Sequence, residues 1–287
     1  MGIFEQLLDL HHGTIAGYKP LGKIAEGGMS TVYKAISLRT QKIVAIKILF
    51  PLYSKRKVKL RKLFREEQVE GEIITSLNHP NVIQTYSYGR RRDQHYFVME
   101  YVNGKNLKHL IYENPELIRG RKYNIIRQVV QGLRYIHSCG IIHRDVCPKN
   151  ILVSEDGEVK LIDFGLSISK TSRYKDLVER SGTPSYMAPE QIRALGSDER
   201  SDIYSFGVCV YELIAEKPPF AGEDSFARMQ HHLSYEPVSL GKRKADVPPA
   251  LEEIVSRAMQ KQPEERYKSM DDLLDSLEKV EFNESSL

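Results

Sequence analysis

Eight consecutive residues, His143-Arg144-Asp145-Val146-Cys147-Pro148-Lys149-Asn150, gather groups capable of polar chemistry. A carboxylate, two cations and a carboxamide stand directly ahead of the apolar run Ile151-Leu152-Val153. Thirteen residues past Asn150 comes Asp163-Phe164-Gly165, behind another strand-like run. Two loops flanking short strands can aim an amide oxygen and a carboxylate oxygen at one hard cation such as Mg²⁺. An ordinary turn uses the same Asp-x-Gly. Upstream, Ala25-Glu26-Gly27-Gly28-Met29-Ser30-Thr31-Val32 sits between strand-like runs. Glycines there let the backbone approach a phosphate without a Cβ clash. A strand rather than a helix follows and Gly-Lys-Ser/Thr is absent, so neither a dinucleotide fingerprint nor a Walker-type loop fits. A Gly-Gly hairpin turn is the plainer explanation of that segment by itself. Val44-Ala45-Ile46-Lys47 places a lysine inside an apolar strand. Such a lysine needs an anion nearby, or an edge from which it can snorkel to solvent.

The elements that must carry these groups change character along the chain. Residues 23–35 and 41–50 are rich in Val, Ile and Tyr and flank a polar turn, which predicts a hairpin. Helical spacing over 61–77 follows, then strand-like runs at 82–88 and 94–101. Beyond Asn103-Gly104 the pattern is mainly helical. Residues 123–138 repeat apolar positions at i, i+3 and i+4 (Ile126, Val129, Val130, Leu133, Ile136), and 203–215 is apolar enough for a buried helix. A β-rich front joined to a helical rear predicts an α+β chain of two lobes, split near residues 102–104, with a ligand cleft between them.

Composition sets the outer bounds. The 287 residues exceed the usual single domain, which argues for one large domain or two packed lobes. With 41% apolar and 28% charged residues the chain is globular, which excludes a disordered chain, a collagen and a disulfide-stapled mini-protein. The net charge of +4 is too mild to imply a nucleic-acid or membrane partner. Positive charge instead collects at 55–65, where seven of eleven residues are Lys or Arg. A solvated helix face explains that run; a docking patch for phosphate or acidic partners is the sharper alternative.

No apolar stretch approaches the roughly 20 residues of a membrane span, and the N-terminus lacks a secretory signal. Gln6 stands where a myristoylation motif needs Ser or Thr. Residues 1–17 form an extension with helical apolar spacing (Ile3, Phe4, Leu7, Leu8). Cys139, Cys147 and Cys209 lack metal spacing and read as reduced thiols of a cytoplasmic protein.

As a set, the motifs resemble the eukaryotic-type serine/threonine protein kinase family, in its order and spacing, from about residue 18 to residue 277. Ala188-Pro189-Glu190, Ser201-Asp202-Ile203-Tyr204-Ser205-Phe206-Gly207 and Pro263-Glu264-Glu265-Arg266 complete the resemblance. Glu26-Gly27-Gly28-Met29-Ser30 and Phe97-Val98-Met99-Glu100-Tyr101-Val102 resemble bacterial members in particular. The resemblance implies a bilobal protein-kinase-like fold with a β-rich N-lobe over 18–102, a mainly helical C-lobe over 103–281 and a tail at 282–287. It also implies ATP- and Mg²⁺-dependent phosphorylation of Ser/Thr hydroxyls on protein substrates, with autophosphorylation. The alternative is a pseudokinase-like signalling module that binds nucleotide with weak or no transfer. A small-molecule phosphotransferase is disfavoured by the Gly-Thr-Pro segment and Ala-Pro-Glu. The motifs are silent on oligomeric state.

Roles follow by position from the same resemblance. Lys47 would hold the α/β-phosphates and pair with Glu70, with Glu67 or Glu66 as substitutes. Asp145 would orient the substrate hydroxyl and accept its proton, while Asn150 and Asp163 would hold Mg²⁺. Ala25, Gly27, Gly28, Ser30 and Val32 would cover the nucleotide. Ala45 and Leu152 would line it, and Glu100 to Val102 would form the hinge with Met99 as gatekeeper. Thr183, in Gly182-Thr183-Pro184-Ser185-Tyr186, would contact Asp145, and Arg266 would pair with Glu190.

Three features depart from the family pattern. Ala25 and Ser30 replace the first and third loop glycines; both are small, and Gly27 is kept. Cys147 stands where serine/threonine kinases carry a lysine for the γ-phosphate. Lys149, where many tyrosine kinases have Arg, would supply the charge, or transfer would be impaired. Cys147 itself is either a small structural thiol or a redox-sensitive one, and the thiolate criteria favour the first. Finally, Arg144 would await a phosphate at Thr171, Ser172 or Ser181, or a built-in charge at Glu179.

Overall fold

The computed structural model describes residues 14–51, 69–91, 94–164, 167–169 and 182–281. The chain divides into two compact units, one comprising 1–78 and 83–102, the other 79–82 and 103–287. In the first, β1 (Tyr18–Glu26), β2 (Ser30–Ser37), β3 (Ile43–Leu49), β4 (Thr85–Arg91) and β5 (Gln94–Glu100) form a five-stranded sheet in the order β1-β2-β3-β5-β4. Every neighbouring pair is antiparallel. The expected hairpin is β2–β3.

The run 23–35 is not one strand. Gly27-Gly28-Met29 breaks it, and β1 folds back on β2, the Gly27 N–H closing the turn on the Ser30 carbonyl at 2.9 Å. Of the helical spacing at 61–77, α1 (Val69–Ser76) is described. The basic run 55–65, Glu66, Glu67 and residues 1–13 lie outside the described residues. The strand expected from residue 82 starts at Thr85, because Val82 bridges Leu161 instead.

Pleating sorts the residues of β3 to opposite faces. Val44, Ile46 and Ile48 join Ile15, Ala35 and Val98 in the core of this unit. Ala45 and Lys47 therefore lie on the other face. Cross-strand register sets Val32 opposite Lys47, Lys47 opposite Phe97 and Ala45 opposite Met99. Directly opposed residues share a face, so Val32, Ala45, Lys47 and Met99 are held together by the sheet itself.

The second unit is mainly helical. In chain order it contains β6 (Gly104–Asn106), α2 (Leu107–Glu113), α3 (Lys122–Ser138), β7 (Ile141–Ile142), β8 (Ile151–Ser154), β9 (Val159–Leu161) and β10 (Ile168–Ser169). Then come α4 (Pro189–Arg193), α5 (Glu199–Ala215), α6 (Ser225–Ser234), α7 (Leu240–Arg243), α8 (Pro249–Ala258) and α9 (Met270–Leu277). β6, β8 and β9 form one small sheet; β7 pairs with β10.

α3 buries the predicted stripe Ile126, Val129, Val130, Leu133 and Ile136. α5 starts on Asp198, whose side chain caps the Arg200 N–H, and is buried along nearly its whole length. A helix apolar on all sides belongs in the centre of its unit, and α5 packs on both α3 and α8. Each large apolar side chain it buries contributes on the order of 1.5–3 kcal/mol. At Gly207 a Cβ would come within 2.9 Å of Ala258 Cβ, so the missing side chain lets α5 and α8 approach. Among the described residues no helix is long and apolar enough to cross a membrane.

Candidate functional site

In the first unit, Lys47 is partly buried beside Val32, Ala45 and Met99 on the non-core face of the sheet. The Phe50 N–H reaches the Met29 carbonyl at 2.9 Å, which ties the glycine turn to the end of β3. At the end of β5, Glu100 is clasped by Gln84. Its N–H donates to the Gln84 carbonyl at 2.9 Å, and its carboxylate accepts the Gln84 N–H at 2.8 Å. The next residue, Tyr101, lies under the Lys34 ammonium at 4.3 Å. Glu70 falls within α1, but its side chain, and with it the expected pairing to Lys47, lies outside what is described.

In the second unit, Asp145 is fixed by residues from two segments. Thr183 donates its N–H and its hydroxyl to Oδ1, each at 2.7 Å. Asn150 Nδ2 donates to Oδ2 and to the Asp145 carbonyl, both at 2.9 Å. Thr183, Asp145 and Asn150 thus meet at one carboxylate. The Asp163 end is laced to the same loop: the Ile162 N–H bonds the Asn150 carbonyl at 2.9 Å, and His143 Nε2 meets the Ile162 carbonyl at 3.1 Å. Phe164 stacks obliquely on the His143 ring at 5.0 Å.

Arg144 and Asp163 both adopt left-handed backbone, with φ of 67° and 66°. That region costs a non-glycine residue roughly 1–2 kcal/mol, so surrounding bonds must impose it. At Arg144 they are visible. Its N–H donates to Asp202 Oδ1 at 2.8 Å, and its carbonyl accepts Gln191 Nε2 at 3.1 Å. Asp202 also takes the His143 N–H and His137 Nε2 on Oδ2, each at 2.8 Å. Burial alone would push the Asp202 carboxyl up. The His137 hydrogen bond and charge, with the His143 N–H, outweigh it and hold the group below the ordinary carboxylate value.

Cys147 is 1% exposed, with Sγ 3.8 Å from the Thr183 hydroxyl. Burial, reinforced by the nearby Asp145 charge, pushes its thiol up to about 12. This is a neutral structural thiol; the redox alternative would need an accessible thiolate. Lys149 is exposed on the 3₁₀ turn Pro148–Asn150.

The segment carrying Thr183 is fastened to the helices behind it. Ser205 Oγ donates to the Tyr186 carbonyl at 2.7 Å. His232 bridges the Ser185 carbonyl and the Tyr204 hydroxyl, each at 2.9 Å. Burial pushes His232 down to about 3, so the ring is neutral. Nε2–H then donates to the carbonyl, and Nδ1 accepts from Tyr204. Tyr112 and Tyr186 each donate a hydroxyl to buried Glu212. Farther along, Arg266 grips both oxygens of Glu190 at 2.8 Å, as the resemblance led one to expect. Arg266 also donates to the backbone carbonyls of Gln260, Arg200 and Lys261.

Asp202, Gln191, His232 and Glu212 carried no assigned role from sequence. For Asp202 and Glu212 the available signal was a charged side chain inside an apolar helix, which must find a buried partner; Gln191 and His232 stand on polar helices that offered none. Gly165, Thr171, Ser172, Glu179 and Ser181 lie outside the described residues.

The protein kinase domain family model matches residues 18–276. The chain is 36% identical over 251 residues to the serine/threonine-protein kinase PknB of Mycolicibacterium smegmatis, covering 85% of this chain and 39% of that protein. It is 36% identical over 259 residues to the serine/threonine-protein kinase PrkC of Bacillus subtilis, covering 89% and 39%. A probable serine/threonine-protein kinase of Clostridium perfringens is 35% identical over 271 residues, covering 93% and 39%. The chain therefore spans about two fifths of the length of these relatives, at 39% of each. With the bilobal α+β architecture and the Asp145 loop in place, the chain belongs to the protein kinase domain family, among relatives of the bacterial serine/threonine type.

Proposed function

We propose that the chain transfers the γ-phosphoryl group of ATP to Ser or Thr hydroxyls of protein substrates, its own included, in the cytoplasm. The observation that carries this reading is the state of the Asp145 carboxylate. Oδ1 accepts two bonds from Thr183 and Oδ2 accepts one from Asn150. A carboxylate offers about four acceptor positions, so one is left on Oδ2 for a substrate hydroxyl. Asp145 would take that proton as the hydroxyl oxygen attacks.

The donor chemistry suits the metal that the family implies. Asn150 Oδ1 and the Asp163 carboxylate are hard oxygen donors of the kind that hold Mg²⁺. Among the described residues no cluster of three or more His, Cys, Asp or Glu forms, so phosphate oxygens would complete the coordination. Bound there, the ion would neutralise charge on the transferring phosphates.

Lys47 would hold the α/β-phosphates, and Glu70 would steady it. Val32, Ala45 and Met99 share its sheet face and would line the base, joined by Leu152. The loop at Ala25, Gly27, Gly28 and Ser30 would cover the phosphates. Because the Glu100 carboxylate is engaged by Gln84, recognition at Glu100 to Val102 would fall to the backbone. Lys149 would supply the positive charge that Cys147 lacks. Such positioning and charge neutralisation are most of what phosphoryl transfer requires.

The test is transfer of labelled γ-phosphate to the chain itself and to a generic protein substrate, with Asp145→Asn as the control. Transfer that needs Mg²⁺ and is abolished in the control is expected. Nucleotide binding without transfer by the unaltered chain would overturn the reading in favour of a pseudokinase-like module.

A further inference from the structure

Glu212 lies within the buried length of α5, where a carboxylate needs donors. Its two donors are phenols from separate elements. The Tyr186 hydroxyl meets Oε2 at 2.6 Å, and the Tyr112 hydroxyl meets Oε1 from α2. Tyr112 is 45% exposed, yet its hydroxyl is turned inward to this bond. Burial and the neighbouring anion push both phenols up, so both remain donors. On the far side of Tyr186, its N–H donates to the Thr183 carbonyl at 2.9 Å, and Thr183 holds Asp145. A continuous path therefore runs from α2 through Glu212 and Tyr186 to the loop carboxylate.

We propose that Tyr112 is a positioning residue for the segment 182–190, acting through Glu212 on Tyr186. What that segment binds, a protein substrate, rests on the kinase reading above; the linkage itself does not. A carboxylate with two donors has one orientation. With the Tyr112 hydroxyl gone, Oε1 is left without its donor, and Glu212 turns or admits water to recover one. Tyr186 shares that carboxylate and follows it. The anchors from Ser205 and His232 stay in place, so the segment loosens rather than detaches.

The experiment uses Tyr112→Phe, Glu212→Gln and the double variant in the full chain. Tyr112→Phe removes one oxygen from a half-exposed ring, so the fold is retained. Amide hydrogen exchange across 182–190 is expected to quicken in Tyr112→Phe by about tenfold, the scale of one lost bond to a charged group, with α3 unchanged. In the transfer assay KM for the protein substrate should rise several-fold while KM for ATP stays put. In the Glu212→Gln background, Tyr112→Phe should add nothing. Unchanged exchange across 182–190, or an undiminished Tyr112→Phe effect in Glu212→Gln, would overturn the proposal. If the unaltered chain transfers no phosphate, the kinase reading fails while the exchange measurement still decides the linkage.

Discussion

Thr183 reaches Asp145 through two donors at once, its backbone N–H and its hydroxyl, both 2.7 Å from the same oxygen. The backbone donor ties the orientation of the carboxylate to the placement of the whole 182–186 turn, whatever side chain occupies position 183. The hydroxyl adds a contribution that can be removed separately.

Thr183→Ala deletes the hydroxyl and keeps the N–H. A hydrogen bond to a charged group is worth about 1.5–3 kcal/mol, so kcat should fall roughly tenfold or more. Thr183→Ser should retain most of the activity, and the KM for ATP should not move in either. Steady-state kinetics on a protein substrate decide it; full kcat in Thr183→Ala would sink the orienting role.

Cys147 and Cys209 are buried and Cys139 is exposed. Iodoacetamide at pH 8 should modify Cys139 alone in the native protein and all three thiols after unfolding, as mass spectrometry would count them. Native labelling of Cys147 would contradict its neutral, inaccessible state.

Lys149 is exposed, so Lys149→Ala should leave the melting temperature unchanged while lowering kcat about tenfold, as loss of one phosphate-facing charge would. Cys147→Lys is expected to give little gain in turnover. A large gain would mean that Lys149 does not compensate.

Removing fully buried Arg266 leaves the largely buried Glu190 carboxylate without its cation. Arg266→Ala should cost about 3–5 kcal/mol, the range for removing one member of a buried pair. Arg266 also loses its three backbone carbonyls. Urea unfolding gives the number directly; a loss below about 1 kcal/mol would show the pair to be dispensable.

His232 is pushed by burial to about 3, against 6.5 for an ordinary histidine. Between those values the unfolded chain binds a proton that the folded chain refuses. Stability from this residue is therefore complete above about 6.5 and declines as pH falls toward 3, by up to about 1.4 kcal/mol per pH unit. His232→Gln should flatten the decline of melting temperature between pH 7 and pH 4. An identical slope in the variant would assign the acid sensitivity to other groups.

Residues with contiguous chemistry were legible in the sequence. His143 to Asn150, the Asp163 turn and Lys47 stand in runs where polar groups interrupt apolar strands, and local pattern is enough to notice them. The β2–β3 hairpin and the stripe of α3 were legible for the same reason. The reversal at Gly27-Gly28 was legible too, as a Gly-Gly turn between strand-like runs; the Val, Ile and Tyr content of 23–35 blurred only where one strand ends and the next begins. Asp202 and Glu212 were opaque as functional groups. Their partners lie 26 to 100 residues away, and only the folded chain brings a loop's N–H groups or two phenols to a helix carboxylate. The thiol of Cys147 was visible as a substitution, but its neutrality comes from burial that no linear pattern records.

The Glu190–Arg266 pair also has a consequence for biosynthesis. The two residues are 76 positions apart. At about 5–20 residues per second on a ribosome, Glu190 emerges roughly 4–15 s before the cation that will neutralise it. Until then the nascent chain holds a carboxylate whose buried site is not yet formed, next to the apolar length of α5. The packing around Glu190 is therefore completed only once residue 266 has been made. A chain stalled before residue 266 would present that apolar surface to chaperones and proteases.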